Sequence, residues 1–356
     1  MKFKNLAFAT LSLLMLTSCS NKTSSTTQSS TTKPVDSEKK ESTTPTSTYD
    51  KTKKKETTTL GSYPQSKVTD ETKIASLNQK AGTLPTASSL GSWKDYGYYN
   101  NSKVEAYTFY IDIDEDSDGK NDYRGVYFTK YRPFAINKNS DDSKEFTQKE
   151  NGYNTNTVYW FKYESIKWDI LDKDKDGYSY LLSPILDVQA YNNTIEDRTN
   201  VKDYQGNTST GTVLANNYKY SNIRNYLNTT FYNLAFTSSD KTKISDMDVK
   251  NSASYTGSSS EFVCEDTKDK VFLLSYTELY SYYNSDNAEF FSDYSASLGL
   301  QTEPDNGKHT VLTWTRTLAA SSKEMVTVAA DEAYSRGGFS VQNYTIGMRA
   351  AIKVKL

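Results

Sequence analysis

Hydrophobic and polar positions alternate along several stretches of the chain after residue 60. Across residues 158–171, branched and aromatic side chains recur at every second position through Ile166, Trp168 and Ile170. This period of two predicts a half-buried strand. The polar run at residues 172–177 then predicts the turn of a β-hairpin. Further strands are predicted at residues 104–113, 125–128, 178–183, 270–274, 311–317, 325–330 and 350–356.

Helical spacing predicts a few helices between these strands. Residues 221–236 carry apolar side chains on one face, with Ser221 or Asn222 as the N-cap. Ser275 and Glu278 have the spacing of a capping box ahead of a second, short helix. These signals place both helices in the C-terminal half of the chain.

The order of the elements predicts the fold class. Thr69 is the expected N-cap of a further helix over residues 70–78. Runs of strands with two or three flanking helices, without alternating strand and helix units, predict a mixed α+β fold of mainly antiparallel short sheets. We expect an N-terminal β-rich part at residues 58–150 and an α+β core at residues 151–356.

The first residues have the pattern of a bacterial export signal. Lys2 and Lys4 precede an apolar run at residues 6–16, about half the roughly 20 residues that span a bilayer. Small residues and Cys19 follow, as in signals whose cysteine receives a diacylglyceryl group. We predict a cleaved lipoprotein signal peptide at residues 1–18 and acylation, of the palmitate type, at Cys19, which attaches the chain to a lipid bilayer.

Residues 19–57 contain almost no apolar side chain, so they cannot repay the entropy of an ordered backbone. This composition predicts a disordered tether rich in serine, threonine and lysine. Anchor and tether together predict a folded part on the extracytoplasmic face of the cell membrane. Ser20 also permits transfer to the outer membrane of a two-membrane cell.

Composition narrows the expected partners. The formal net charge is −2, with acidic and basic residues interspersed, so nucleic acid is not an expected partner. The 29 tyrosines have two interpretations: exposed tyrosines offer contact area for glycans or proteins, and AT-biased coding also enriches tyrosine. The only cysteines are Cys19 and Cys264, so lipidation of Cys19 leaves no pair for a disulfide.

Residues 112–122 contain the sharpest candidate metal site. Asp114, Asp116, Asp118 and Asp122 follow a D-x-D-x-D-G-x-x-D pattern, in which alternate carboxylates can converge on one Ca²⁺ while the glycine permits a sharp turn. No carboxylate occupies the twelfth position of such a loop, which predicts weak binding. The alternative is an acidic hairpin turn without a metal. Calcium is the one cofactor that the sequence suggests.

Seven short motifs follow the predicted tether in a fixed order. They are GSYPQ (61–65), IKWDIL (166–171), YLLS (180–183), SNIRNYLN (221–228) with Phe231 and Tyr232, DKVFLLS (269–275), WTR (314–316) and GMRAA (347–351). In order and spacing they resemble a bacterial family described as a domain of unknown function, DUF6273. The chain departs from the family pattern at Thr315 and Ala350, where Leu and Pro are common, and this leaves the local turn geometry open.

The last two motifs also resemble the ends of C-type-lectin-like and formylglycine-generating-enzyme-like folds. That analogy implies short sheets, flanking helices and a ligand site at Trp314, Arg316 and Arg349. The alternative is that these side chains pack and pair inside the fold. The copper chemistry of formylglycine-generating enzymes needs paired cysteines, which lipidation of Cys19 excludes.

These observations favour a surface lipoprotein whose folded part binds an extracellular glycan, wall polymer or protein. A nucleophile activated by histidine would depend on His309, the only histidine, so we expect a binding module rather than an enzyme. Two alternatives stay open. One is an envelope polysaccharide hydrolase with an unidentified carboxylate pair, and the other is a structural envelope component without a small ligand.

Overall fold

The structure, a computed structural model, describes residues 56–101, 103–139, 147–258, 262, 264–282, 291–305, 308–329 and 335–356. These residues form an α+β fold with mostly antiparallel strands and short helices, as the sequence predicts. The predicted signal peptide, Cys19 and nearly all of the predicted tether lie outside the described residues. Within them, no helix is long and apolar enough to cross a membrane.

Groups of strands are interrupted by short helices along the chain. The strands are β1 (Thr57–Lys67), β2 (Lys94–Asp95), β3 (Tyr98–Asn100), β4 (Lys103–Glu105), β5 (Thr108–Ile113), β6 (Tyr123–Phe128), β7 (Val158–Lys173), β8 (Tyr178–Val188), β9 (Ile244–Ser245), β10 (Met247–Val249), β11 (Thr267–Asp269), β12 (Val271–Phe272), β13 (Thr302–Asp305), β14 (Lys308–Leu318), β15 (Glu324–Ala329), β16 (Ser335–Ser340) and β17 (Gly347–Lys355). The helices are α1 (Glu71–Ala81), α2 (Thr147–Glu150), α3 (Asn222–Tyr226), α4 (Tyr232–Ala235), α5 (Ser238–Lys243), α6 (Ala253–Thr256), α7 (Tyr276–Tyr282) and α8 (Asp293–Ser297).

One open sheet joins most of the described strands. Its main path has the order β16-β15-β14-β17-β8-β7-β6-β5-β2, with β1 paired to β7, β13 to β14, and β9 and β12 to β17. The strands pair antiparallel except β14 with β17, which run parallel. The ribbons β3-β4 and β10-β11 are separate. Strands from both sides of residue 150 therefore lie in the same sheet.

Strand β7 carries the alternating pattern and lies near the middle of the sheet. Its first part pairs with β6 and its last part with β8, while β1 runs along most of its length. Ile166 and Trp168 are fully buried, whereas Lys167 is exposed. The Trp168 indole N–H donates to the Leu60 carbonyl at 2.8 Å. The predicted strand and the hairpin to β8 are confirmed.

Buried apolar side chains form separate clusters. The largest contains Trp168, Phe231 and Trp314. A smaller one joins Leu77 of α1 to Trp160 of β7 and neighbouring strands. Because burying a large apolar side chain contributes about 1.5–3 kcal/mol, this smaller cluster fixes α1 against the sheet.

Helix α1 begins one residue later than the sequence predicts. Asp70, rather than Thr69, is the N-cap, and its carboxylate accepts the backbone N–H of Lys73 at 2.7 Å. Both residue types are good caps, so the sequence alone does not separate them.

The other predicted caps are confirmed. The Ser221 hydroxyl accepts the backbone N–H of Arg224 at 3.2 Å. The Ser275 hydroxyl accepts the Glu278 N–H at 3.2 Å, and the Glu278 carboxylate accepts the Ser275 N–H at 2.7 Å, so both halves of the capping box are present.

A π-helical turn, Leu227–Phe231, connects α3 and α4 within the predicted helix at 221–236. The side chain of Asn228 forms hydrogen bonds with backbone groups on both sides of this turn. Its side-chain amide donates to the carbonyls of Arg224 at 3.0 Å and Val271 at 2.8 Å, and its oxygen accepts the Val271 N–H at 3.1 Å. This turn thereby attaches the helix to β12.

Candidate functional site

A cleft of about 880 Å³ opens between the end of β1, the start of α1 and the strands β6 and β7. Its lining is mixed: the apolar side chain of Val68 and the ring of Tyr123 lie beside hydroxyl and charged groups. Hydroxyl groups come from Ser66, Thr69, Thr72 and Ser76, and charged groups from Lys67, Asp70, Lys73, Lys162 and Glu164. No sequence motif indicates this cleft, because its residues come from segments about 100 positions apart.

Ionic contacts hold one wall of the cleft. Lys73 pairs with Glu115 at 2.9 Å, and its ammonium group lies 5.5 Å from the centre of the Tyr123 ring. Lys80 pairs with the same glutamate at 3.1 Å. Hydrogen bonds from the two lysines lower the pKa of Glu115, and its carboxylate raises the pKa of Lys73.

The opposite wall keeps polar groups available to solvent. The exposed Lys162 and the half-buried Glu164 both lie on β7 and line the cleft. The Glu164 carboxylate accepts the Ser66 N–H at a long 3.3 Å. The Lys67 ammonium group lies 5.1 and 4.9 Å from the ring centres of Tyr153 and Tyr159. Opposite charges and hydroxyls therefore face one space.

The predicted calcium residues lie in the turn between β5 and β6. Asp114, Asp116 and Asp122 each offer a carboxylate oxygen, and these atoms all lie within 4.8 Å of one another. Asp118 is not part of that group. Its carboxylate instead pairs with Lys120 at 2.5 Å, and this hydrogen bond lowers its pKa.

Hydrogen bonds to backbone groups shape this acidic turn. Asp114 accepts the Gly119 N–H at 2.8 Å, and Asp122 accepts the Glu115 N–H at 2.7 Å. Gly119 has a φ of 86°, a positive value that glycine adopts without strain. This agrees with the sharp turn that the sequence predicts there. Three of the four predicted ligands are thus brought together, and calcium binding by them stays a prediction.

Trp314 and Arg316 point into the fold. The Trp314 indole N–H donates to the Gln189 carbonyl at 2.8 Å. The Arg316 guanidinium pairs with Glu278 through a 2.7 Å bond and donates to the Leu273 carbonyl at 2.9 Å. Both residues are buried.

Arg349 is buried as well. Its Nε donates to the Ser183 carbonyl at 3.0 Å, and its Nη2 lies 3.5 Å from the Asp169 carboxylate. The contacts described for Trp314, Arg316 and Arg349 are internal, which corresponds to the alternative in which they pack and pair. A ligand site at these residues stays a prediction.

Two of the sequence motifs meet at a buried carboxylate. Asp187, fully buried, accepts the hydroxyl of Tyr63 at 2.6 Å and that of Tyr226 at 2.5 Å. Burial raises the pKa of Asp187, although these hydrogen bonds oppose the rise. Tyr63 belongs to GSYPQ and Tyr226 to SNIRNYLN, so this contact joins β1 to α3.

A second joint connects α3 to β11. Arg224 and Asp269 are both buried, and the guanidinium contacts the carboxylate at 2.7 and 2.9 Å. This paired geometry satisfies both charges inside the protein. The motifs therefore include residues that hold elements together.

Many of the tyrosines lie in the interior rather than on an exposed recognition surface. The buried ones include Tyr63, Tyr98, Tyr107, Tyr153, Tyr191, Tyr218, Tyr294 and Tyr344. Burial raises the pKa of each of these hydroxyls. These buried tyrosines thus contribute to packing.

The remaining candidate groups are Cys264 and His309. Cys264 is buried, and desolvation raises the pKa of its thiol to about 11, which disfavours the nucleophilic thiolate. His309 pairs with Pro304 across β13 and β14, and its side chain lies outside the described residues.

Fold and site define an α+β protein with an open, mainly antiparallel sheet and a polar surface cleft. Residues 180–356 match the family model described as Domain of unknown function (DUF6273), so the predicted domain is confirmed in that segment. The chain matches no curated protein and no solved structure. The cleft and the acidic turn both precede the matched segment.

Proposed function

We propose that the chain is a membrane-anchored surface lipoprotein whose folded part binds a hydroxyl-rich envelope polymer, such as a glycan or wall polymer, in the polar cleft. The N-terminal pattern that ends at Cys19 supports the anchor and the extracytoplasmic location. The composition of the cleft supports the ligand class.

The observation that carries this proposal is the mixture of groups in the cleft. Ser66, Thr72 and Ser76 can donate to or accept from ligand hydroxyls, while Lys162 donates and Glu164 accepts. Sugars carry both donors and acceptors, so a lining of both kinds can satisfy them. An extended apolar ligand would leave these polar groups without partners.

A cleft-filling substitution tests the proposal on a glycan array and on isolated envelope fragments. Thr72→Trp introduces a large side chain at an exposed position of the cleft wall. Thr242→Trp, at an exposed helical position outside the cleft lining, is the matched control. We expect Thr72→Trp to abolish binding and the control to retain it; equal binding by both variants would contradict a role for the cleft.

Hydrolysis of the bound polymer is the second candidate function, because two carboxylates, those of Asp70 and Glu164, line the same cleft. Incubation with envelope polysaccharide and analysis of new reducing ends tests it. Reducing ends that disappear in Glu164→Gln would support a hydrolase. Binding without such products would leave recognition as the function.

A further inference from the structure

Arg132 differs from the other buried arginines that the structure describes. Arg124, Arg224, Arg316 and Arg349 each have a carboxylate oxygen within 3.5 Å. Arg132 is only 3% exposed, and no carboxylate of the described residues forms an ion pair with it. A buried charge without a counter-charge is costly, so Arg132 calls for an additional partner.

Only some of the hydrogen-bond donors of the Arg132 guanidinium have partners among the described residues. Nη2 donates to the Tyr344 carbonyl at 2.8 Å, and the group lies 4.7 Å from the ring centre of Tyr98 and 5.0 Å from that of Tyr344. Attraction to the rings offsets some of the desolvation. Nη1, however, is buried without a hydrogen-bond partner among the described residues.

Two buried hydroxyls near this guanidinium also lack partners in the described part of the chain. The rings of Tyr98 and Tyr107 are 5.8 Å apart between centres, both residues are at most 4% exposed, and neither hydroxyl has a hydrogen-bond partner there. Burial raises the pKa of Tyr98 to about 12 and also raises that of Tyr107, while Arg132 opposes both rises. Both hydroxyls are therefore protonated donors within the field of the guanidinium.

We propose that Arg132, Tyr98 and Tyr107 form a site for a small oxyanion, a carboxylate or phosphate group, which supplies the missing charge and accepts from Nη1 and the two hydroxyls. Asp187 does not serve this purpose, since it accepts from Tyr63 and Tyr226 and forms no ion pair with Arg132. None of the three proposed residues lines the polar cleft, so the site is separate from the proposed polymer site.

Calorimetric titration of the purified chain with acetate, phosphate and sulfate, at constant ionic strength set with chloride, tests this site. We expect saturable binding of at least one oxyanion and a matching rise in the thermal midpoint. Tyr107→Phe removes one unpartnered hydroxyl, so the ligand-free protein should be at least as stable, while the dissociation constant rises about tenfold.

Tyr153→Phe is the matched control, because the Tyr153 hydroxyl donates to the Asp293 carbonyl at 2.9 Å. It should lower stability and leave the oxyanion affinity unchanged. Arg132→Met, which keeps the side-chain length without the charge, should abolish saturable binding. Absence of oxyanion binding in the wild-type chain, or binding that persists in Arg132→Met, would overturn the proposal.

A variant with Asp141→Asn, Asp142→Asn and Glu145→Gln tests whether the chain itself, rather than a bound oxyanion, supplies the negative charge. These acidic residues lie near Arg132 in sequence but outside the described residues. The proposal predicts the same oxyanion affinity as in the wild-type chain. A gain of affinity by more than about tenfold would identify the chain itself as the source of the charge and would overturn the proposal.

Discussion

At the scale of single residues, the interior is organised by charge pairs that join distant segments. Arg224 contacts Asp269 across 45 positions, and Arg316 contacts Glu278 across 38. Removing one member of the buried Arg224–Asp269 pair leaves the other charge uncompensated, which typically costs about 3–5 kcal/mol. Glu278 is half-buried, and its removal leaves the buried guanidinium of Arg316 without its carboxylate. These pairs therefore fix which elements meet.

Glu278→Gln tests the pair with Arg316. Desolvation raises the pKa of Glu278, but the guanidinium and the bonds from Ser275 outweigh it, so the pKa falls below the ordinary value of 4.5. We expect the variant to lose about 2–4 kcal/mol of unfolding free energy at neutral pH. Urea denaturation followed by circular dichroism measures the difference.

The same variant has a characteristic pH dependence. With a folded-state pKa below that of the unfolded state, the Glu278 carboxylate contributes its full stabilisation above pH 4.5 and loses it as the pH falls through the folded-state pKa. The difference in unfolding free energy between the wild type and Glu278→Gln should therefore become smaller in acid. A gap that stays constant down to the lowest pH of folding would contradict the ion pair.

Local residue signals could be predicted from sequence, whereas the pairings could not. The Ser221 cap and the box of Ser275 with Glu278 depend on neighbours three positions apart, so the spacing reveals them. The contact of Tyr63 with Asp187 joins positions 124 apart, and many tyrosines and aspartates were equally possible partners. Only the tertiary fold selects one.

At the scale of elements, β1 and α4 approach each other closely at Gly61. Its φ is 69°, and a Cβ there would lie 2.4 Å from the Ala235 carbonyl oxygen. Gly82, just after α1, has almost the same φ, 70°, but no atom within 4 Å of such a Cβ. The two glycines thus separate the cost of backbone conformation from the cost of a clash.

Alanine substitution at each glycine tests this close approach. Gly82→Ala should cost about 1–3 kcal/mol from the backbone conformation alone, because a φ of 70° with a ψ of −139° is a combination that residues with a Cβ rarely adopt. Gly61→Ala should cost at least 2 kcal/mol more, because β1 or α4 must also shift. Chemical denaturation of both variants measures the two costs. Equal losses would indicate that the approach of β1 to α4 is looser than described.

In the acidic turn between β5 and β6, we expect individual aspartates to contribute to calcium binding to different extents. Asp116 belongs to the group of three converging carboxylates, whereas Asp118 pairs with Lys120. Calcium titration calorimetry should therefore give weak, millimolar-range binding that Asp116→Asn abolishes and Asp118→Asn reduces less. If the wild-type chain gives no heat at millimolar Ca²⁺, calcium binding is contradicted and the alternative, an acidic hairpin turn without a metal, applies.

Elements with a strong period were predictable and short ones were not. Strand β7 and its hairpin follow from alternation over many residues. The strands β9, β10 and β11 have two or three residues each, too few to carry a period. They form through pairing with distant strands, which the local sequence does not encode.

At the scale of the whole molecule, the proposed anchor makes a direct prediction about location. Cys19→Ser removes the thiol that would carry the lipid. In cells that express the chain, we expect the wild type in the detergent-soluble membrane fraction and the variant in the culture medium or periplasm. Metabolic labelling with a fatty acid should mark only the wild type. Release of both forms alike would contradict lipidation.

The candidate cleft likewise depends on the tertiary fold rather than on any single segment. Ser66, Tyr123 and Lys162 line it together only because β1, α1, β6 and β7 assemble side by side. No segment contains a motif for it, and the ligand site suggested by the sequence, at Trp314, Arg316 and Arg349, lies outside the cleft lining. The match to the family model covers residues 180–356 and leaves the cleft outside it.

The most direct test of polymer recognition is calorimetric titration of the chain with purified envelope polysaccharide fragments. The test variant carries Lys162→Ala and Glu164→Gln, which remove one donor and one acceptor from the cleft. Lys268→Ala is the control, since this exposed lysine pairs with Asp248 outside the cleft lining. We predict saturable binding by the wild type and the control, and at least tenfold weaker binding by the double variant. Equal affinity in all three proteins, or no binding by the wild type, would contradict recognition in the cleft.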